Sequence, residues 1–104
     1  MSYSEIAKKE KPIDALKGFT GEFMGDRLEE LKELDSYQKS GSFDEIRALA
    51  HKWKGFSEPY GFQTLAALSK DLEVALDAND VDKSTQLIEE IKKYLLAKKA
   101  YILG

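Results

Sequence analysis

The single histidine of this 104-residue chain, His51, is the side chain best suited to chemistry. An imidazole is largely unprotonated at neutral pH, so one ring nitrogen has a free lone pair and can act as a nucleophile. Lys54 and Gly55 follow three and four residues later, which places both beside His51 on a helix. A phosphoryl group on the ring would carry nearly two negative charges, which the Lys54 ammonium offsets. A glycine inside a helix costs about 1 kcal/mol relative to alanine, so Gly55 indicates that something must come close to the ring.

The sequence offers little support for other kinds of chemistry. It contains no cysteine, which removes disulfides, thiolate metal sites and thiol nucleophiles. One histidine without an H-E-x-x-H spacing leaves no credible metal-ligand set, so we expect neither a metal nor a cofactor of its own. No P-loop or kinase glycine loop is present, and the chain therefore should not use ATP unaided. These features leave no credible site for hydrolytic, metal-dependent or ATP-dependent catalysis by the chain alone, so we expect that it is not an enzyme.

Composition limits the partners and the location of the chain. The net charge is −3 with both signs mixed along the sequence, so no basic stripe is available for nucleic acid. Apolar residues never run uninterrupted for more than a few positions, which predicts no membrane span. The first residues, MSYSEIAKKEKP, are too polar for a secretory signal, and the lack of cysteine fits a reducing compartment. We expect a cytoplasmic monomer.

The spacing of apolar residues predicts an all-α fold, an antiparallel up-and-down four-helix bundle with a short N-terminal helical extension. Residues 1–11 form a polar N-terminal lead, and residues 12–104 form the bundle domain. The first long helix should start near Pro12 or Phe19 and end near residue 39, where Gly41 can close it. The second should run from about 42 to 57, the third from 61 or 62, and the fourth from about 80.

Helix caps and buried faces follow from the same spacing. Ser42 and Glu45 have the spacing of a capping box at the start of the second helix, and Asp80 can cap the fourth. The fourth helix is predicted to bury its apolar residues, which are Val81, Leu87, Ile88, Ile91, Leu95 and Ile102.

The helical wheel predicts which way His51 points. At 100° per residue, His51 lies about 150° from the centre of the apolar arc of its helix, whereas Trp53 lies within that arc. We therefore expect the imidazole to be exposed to solvent and the Trp53 side chain to be buried. Arg47 and Lys54 lie beside His51 on the outer face.

The residues around His51 resemble a known family. The segment AHKWKGFSEPYGF at residues 50–62, followed by Leu65, Leu68, Leu72 and Glu73, is similar to histidine-containing phosphotransfer (HPt) domains. Their pattern is H-x-x-K-G, a short polar turn, a glycine, and a leucine-spaced helix ending in L-E or L-Q. The preceding SFDEIRAL also resembles these domains, and the similarity covers roughly residues 19–102. Phe56 departs from the family, which usually has a small residue there, and Trp53 replaces a more usual leucine.

The resemblance implies roles for individual residues. His51 is expected to accept the phosphoryl group, Lys54 to be its electrostatic partner, and Gly55 to give clearance for an incoming receiver domain. Glu73 matches a position whose side chain often hydrogen-bonds the imidazole; otherwise it is a boundary glutamate that stays in water. The implied partners are response-regulator receiver domains, which would bring Mg²⁺, and a sensor (hybrid) histidine kinase.

A docking surface should flank the histidine in such a protein. Receivers typically dock through an apolar patch, so we expect exposed small and apolar side chains near His51, drawn from Ala48, Phe62 and Ala66 with Arg47 beside them. The competing hypothesis is a helical adaptor of the same fold, in which His51 is an incidental surface histidine and no phosphoryl group is carried.

Overall fold

The computed structural model describes residues 2–104, and Met1 lies outside the described part. Five α-helices account for most of it, and two short 3₁₀ segments, Asp14–Phe19 and Glu58–Tyr60, connect some of them. No strand occurs among the described residues. The helices are α1 Tyr3–Lys9, α2 Thr20–Ser40, α3 Phe43–Phe56, α4 Gln63–Asp77 and α5 Val81–Leu103. The all-helical class is therefore confirmed, and the four long helices lie within a few residues of the predicted positions.

Glycine and aspartate set two of the predicted helix ends. Gly41 follows α2 with φ of +68°, the left-handed conformation that closes a helix at low cost for glycine. Asp80 caps α5, because its carboxylate accepts a hydrogen bond from the backbone N–H of Lys83 at 3.0 Å. The capping box predicted for Ser42 is wrong. The Ser42 hydroxyl bonds the Ser40 hydroxyl at 2.7 Å instead of the backbone of α3.

Gly61 is required by both conformation and space. Its φ is +87°, and a Cβ at this position would lie 2.7 Å from the backbone nitrogen of Pro12. The segment before α2 therefore passes directly over the turn that leads into α4. Ile13 N–H reinforces this contact by donating to the Pro59 carbonyl at 2.9 Å.

A single apolar core lies between the helices. α3 packs against α2 and α4, and α5 packs against α1, α2 and α4. The largest fully buried side chains are Trp53, Tyr94, Phe62, Met24, Leu34, Ile46, Leu65, Leu72, Ile91 and Leu95. Val81 is an exception to the predicted buried face of α5, since it is 56% exposed. It is the first residue of that helix, and Ile102 near the other end is only partly buried.

The N-terminal segment is packed against the rest of the fold. α1 lies within residues 1–11 and packs on α5, with Ala7 fully buried. Glu10 then binds α5, where Lys98 Nζ lies 2.8 Å and Tyr94 Oη 2.6 Å from its Oε1. Its other carboxylate oxygen accepts the Thr64 backbone N–H at 2.7 Å in the first turn of α4. A carboxylate at a helix N-terminus is favourable, so this segment helps to hold α4 in place.

Candidate functional site

The rotation of α3 about its own axis is fixed by a polar cluster around the buried carboxylate of Glu30 on the α2 side. Trp53 is fully buried, and its indole N–H donates to Glu30 Oε1 of α2 at 3.0 Å. Lys52 binds the other oxygen of the same carboxylate. Arg27, one turn before Glu30 and only 4% exposed, donates to Oε1 at 2.5 Å. With two adjacent residues of α3 bound to α2, the opposite face of α3 must point away from the core.

His51 lies on that outward face. Its side chain is 67% exposed, as the helical wheel predicts, and Trp53 is buried. The imidazole is not free to rotate, because its Nδ1 lies 2.8 Å from Glu73 Oε2 on the neighbouring helix α4. Glu73 is itself only 8% exposed. The glutamate is therefore held at the junction of two helices rather than being a freely solvated side chain.

The hydrogen bond determines which ring nitrogen is available. The hydrogen bond from Lys54, and then that from His51, hold the pKa of Glu73 below its usual value, so this carboxylate is ionised at neutral pH and can only accept. Its partner Nδ1 must therefore carry the proton. In the neutral imidazole this leaves the lone pair on Nε2. Because the His51 side chain is mostly exposed, a group from outside the protein can reach the ring that carries this lone pair.

Two cations of α3 bracket His51 and bind two carboxylates of α4. Lys54 Nζ lies 2.5 Å from Glu73 Oε1, so one glutamate binds both the histidine and the lysine. Arg47 binds Asp77 with its Nε at 2.6 Å and one terminal nitrogen at 3.3 Å. The same terminal nitrogen lies 3.7 Å from Glu73 Oε2. The sequence reasoning missed Asp77, although its position four residues after Glu73 places it on the same face of α4.

Gly55 has open space around it. It lies within α3 and is exposed, and an added Cβ would meet no atom of residues 2–104 within 4 Å outside its own helix. Packing inside the protein therefore does not explain the glycine. The surface one turn after His51 is left without a side chain.

The structure agrees only in part with the expected docking surface. Ala48 is exposed and Ala66 is half-buried. Phe62 is fully buried, so its assignment to a partner surface is wrong. It precedes the first turn of α4 with φ of −112°, and its ring packs on Phe23 with centroids 4.8 Å apart. The sequence reasoning also missed Val74, which is 62% exposed and adjacent to Glu73.

A metal-binding cluster and a membrane-spanning helix are both absent from the part of the chain that the structure describes. Residues 2–104 contain no group of three or more histidine, cysteine, aspartate or glutamate side chains arranged to hold a metal ion. Within the same range, no helix has the length and apolar character needed to cross a membrane. Comparison with protein-family models, with curated proteins and with solved structures found no match.

Proposed function

We propose that this chain is a histidine phosphotransfer protein that carries a phosphoryl group on Nε2 of His51 between receiver domains. The observation that carries the proposal is the contact of 2.8 Å between Nδ1 and Glu73 on a side chain that is 67% exposed. It fixes the proton on the inner nitrogen and leaves the outer nitrogen as a nucleophile. The resemblance of residues 50–73 to HPt domains supports the same conclusion.

In the proposed reaction, Nε2 attacks the phosphorus of an aspartyl phosphate on a receiver domain. The N–P bond forms as the P–O bond to the aspartate breaks, and the aspartate leaves as a carboxylate. Positive charge develops on the imidazole because Nδ1 keeps its proton, and the ionised Glu73 stabilises that charge. Lys54, one turn from His51, offsets the charge of the phosphoryl group. Transfer to a second receiver reverses these steps, and each receiver would supply its own Mg²⁺.

The proposal includes an antiparallel four-helix bundle formed by α2, α3, α4 and α5. The contacts of α2 with α3, α3 with α4, α4 with α5, and α5 with α2 form a closed ring, which supports this arrangement. Only residues 41–42 separate α2 from α3, and only residues 78–80 separate α4 from α5. Connections this short favour antiparallel neighbours. The proposed protein acts as a cytoplasmic monomer, with a sensor (hybrid) histidine kinase and its receivers as partners.

Phosphoryl transfer from a panel of receiver domains tests the proposal directly. Each receiver is phosphorylated, mixed with the chain in Mg²⁺ buffer at neutral pH, and followed by intact-mass spectrometry for the gain of one phosphoryl group. The wild type should gain one group from at least one receiver, and His51→Gln should gain none. Transfer to the His51→Gln variant would show that another residue is the acceptor.

The competing function is a helical adaptor that binds a partner without carrying a phosphoryl group. If the chain is an adaptor, the His51→Gln variant and the wild type should bind receivers with the same affinity. Neither of them would become phosphorylated by a receiver. Small phosphodonors such as phosphoramidate help to separate the two functions, because they modify a reactive imidazole without a docking partner. Stable binding of a receiver together with no labelling by receiver or phosphoramidate would favour the adaptor.

A further inference from the structure

The ion pair between Arg47 and Asp77 lies at the phosphoryl site but has no role in the reaction described above. Arg47 is one helical turn before His51, and Lys54 is nearly one turn after it, so both cations can reach the same side of the ring. Of the two cations, only Lys54 lies at hydrogen-bond distance from the Glu73 carboxylate, and the nearest Arg47 nitrogen is 3.7 Å from it. Arg47 is bound through two of its nitrogens to Asp77 of α4.

The Arg47–Asp77 pair contributes little to the stability of the fold, but Arg47 can interact with a phosphoryl group on His51. Side chains of Arg47 and Asp77 are 46% and 53% exposed, and ion pairs at such positions add little stability. A phosphoryl group on His51 would add nearly two negative charges a turn away from Arg47. A guanidinium free to turn toward that group could bind two of its oxygens at once, which is a strong mode of phosphate recognition.

We propose that Asp77 is a positioning residue that holds Arg47 on α4 and away from the phosphoryl group. Phospho-His51 is then neutralised by Lys54 without a second cation, and it stays reactive toward the next receiver. The inference rests on the proposed function. Without Asp77, Arg47 would bind the phosphoryl group, lengthen the life of phospho-His51 and slow its onward transfer.

The variant Asp77→Asn tests this proposal, because it removes the charge and keeps the shape. Asp35→Asn is a matched control. Asp35 pairs with Lys92 at 2.6 Å, and its side chain is 55% exposed, but this pair joins α2 to α5. Both variants therefore lose one similarly exposed carboxylate from an interhelical ion pair of similar length. The double variant Arg47→Gln/Asp77→Asn has the wild-type net charge and lacks the Arg47 cation that would bind the phosphoryl group.

The lifetime of phospho-His51 is measured after the chain has been phosphorylated with phosphoramidate. In that reaction the Nε2–P bond forms, the P–N bond of the donor breaks and ammonia leaves. Asp77→Asn should lengthen the half-life of phospho-His51 about three- to fivefold at low salt, with less effect at high salt. Asp35→Asn and the double variant should stay within about twofold of wild type. Transfer from phospho-His51 to a receiver should slow in Asp77→Asn alone.

A half-life unchanged or shortened in Asp77→Asn, or a lengthening that persists in the double variant, would overturn the proposal. A second measurement separates this failure from failure of the proposed function. Inorganic phosphate is titrated while the His51 ring signals are followed by NMR, which requires no phosphorylation. If Asp77→Asn binds inorganic phosphate more tightly than both the double variant and Asp35→Asn, the release of Arg47 is supported. This holds even if no phosphodonor phosphorylates the wild type. Equal binding in all of them contradicts it.

Discussion

Replacing Glu30 by glutamine should destabilise the fold strongly, because this carboxylate is the centre of the buried polar cluster between α2 and α3. Glu30 is 7% exposed and accepts hydrogen bonds from Arg27, Lys52 and Trp53. Arg27 is 4% exposed and has no other carboxylate within ion-pair distance among the described residues. Glutamine keeps one acceptor for Trp53 but leaves the guanidinium buried without a counter-charge.

The size of the loss follows from the burial of the pair. Removing one partner of a buried ion pair costs about 3–5 kcal/mol, since the remaining charge is unpaired in a poor solvent. Because glutamine retains a hydrogen-bond acceptor, we expect a loss near the lower end, about 3 kcal/mol. This is a large part of a total stability of roughly 5–15 kcal/mol for a domain of this size. At about 4–8 °C per kcal/mol, the melting temperature should fall by roughly 12–24 °C.

The loss should also depend on pH. Burial raises the pKa of Glu30, but hydrogen bonds from Lys52 and Trp53 and the charges of Arg27 and Lys52 outweigh it, so the pKa is lowered overall. A carboxylate with a lowered pKa in the folded state contributes stability that is fully present above its unfolded pKa of about 4.3. That stability is lost as the pH falls through the folded pKa. The gap in unfolding free energy between wild type and Glu30→Gln should therefore narrow below about pH 4.

Urea unfolding at pH 7 and at several acidic values measures both effects, with circular dichroism and the fluorescence of the single tryptophan as probes. Glu29→Gln is the control, since Glu29 is 73% exposed and pairs with Lys32 on the surface. It should change stability by less than about 0.5 kcal/mol. A loss below about 1 kcal/mol for Glu30→Gln, or a gap that stays constant with pH, would refute the reasoning about this cluster.

Three further predictions concern the proposed site. Gly55→Ala should stabilise the fold by about 0.4–1 kcal/mol in thermal unfolding, because the position is helical and open. Gly55→Gln should slow phosphoryl transfer from a receiver without unfolding the chain. If Gly55→Gln and wild type accept the phosphoryl group at the same rate, Gly55 does not provide clearance. Lys54→Ala should slow phosphorylation by phosphoramidate about five- to tenfold at low salt and less at high salt; wild-type rates at low salt would contradict it. Ala48→Glu should weaken receiver binding in calorimetry with an unchanged dichroism spectrum, and an unchanged affinity would place the docking surface elsewhere.

The direction of His51 could be predicted from sequence because it depends only on helical periodicity. α3 has an uninterrupted pattern of apolar residues, and one rotation angle places every side chain of the helix. The error at Phe62 has the opposite cause. Its assignment to the docking surface used only its apolar type and its nearness to His51 in sequence, and a core residue such as Phe62 can share both features.

The charged contacts could not be predicted from the same pattern. A helical wheel treats charged residues as solvated, so it gave no sign that Glu30, Lys98 and Glu10 are buried and paired. For α1, a usable signal was present. Tyr3, Ile6, Ala7 and Glu10 have the spacing of one helical face, but the segment is short and polar, and only its contacts with α5 make that face a buried one.

The two sides of α3 show how an exposed histidine can have a fixed orientation. On one side, Lys52 and Trp53 bind the buried Glu30 of α2, which holds the helix backbone in place. On the other side, His51 and Lys54 bind Glu73 of α4, which orients the ring. Neither contact involves Nε2, so the backbone and the ring are both held in place while the His51 side chain stays 67% exposed. A surface histidine without these contacts would reorient freely. Under the proposed function it would lose the benefit of positioning, which is a main source of rate in phosphoryl transfer.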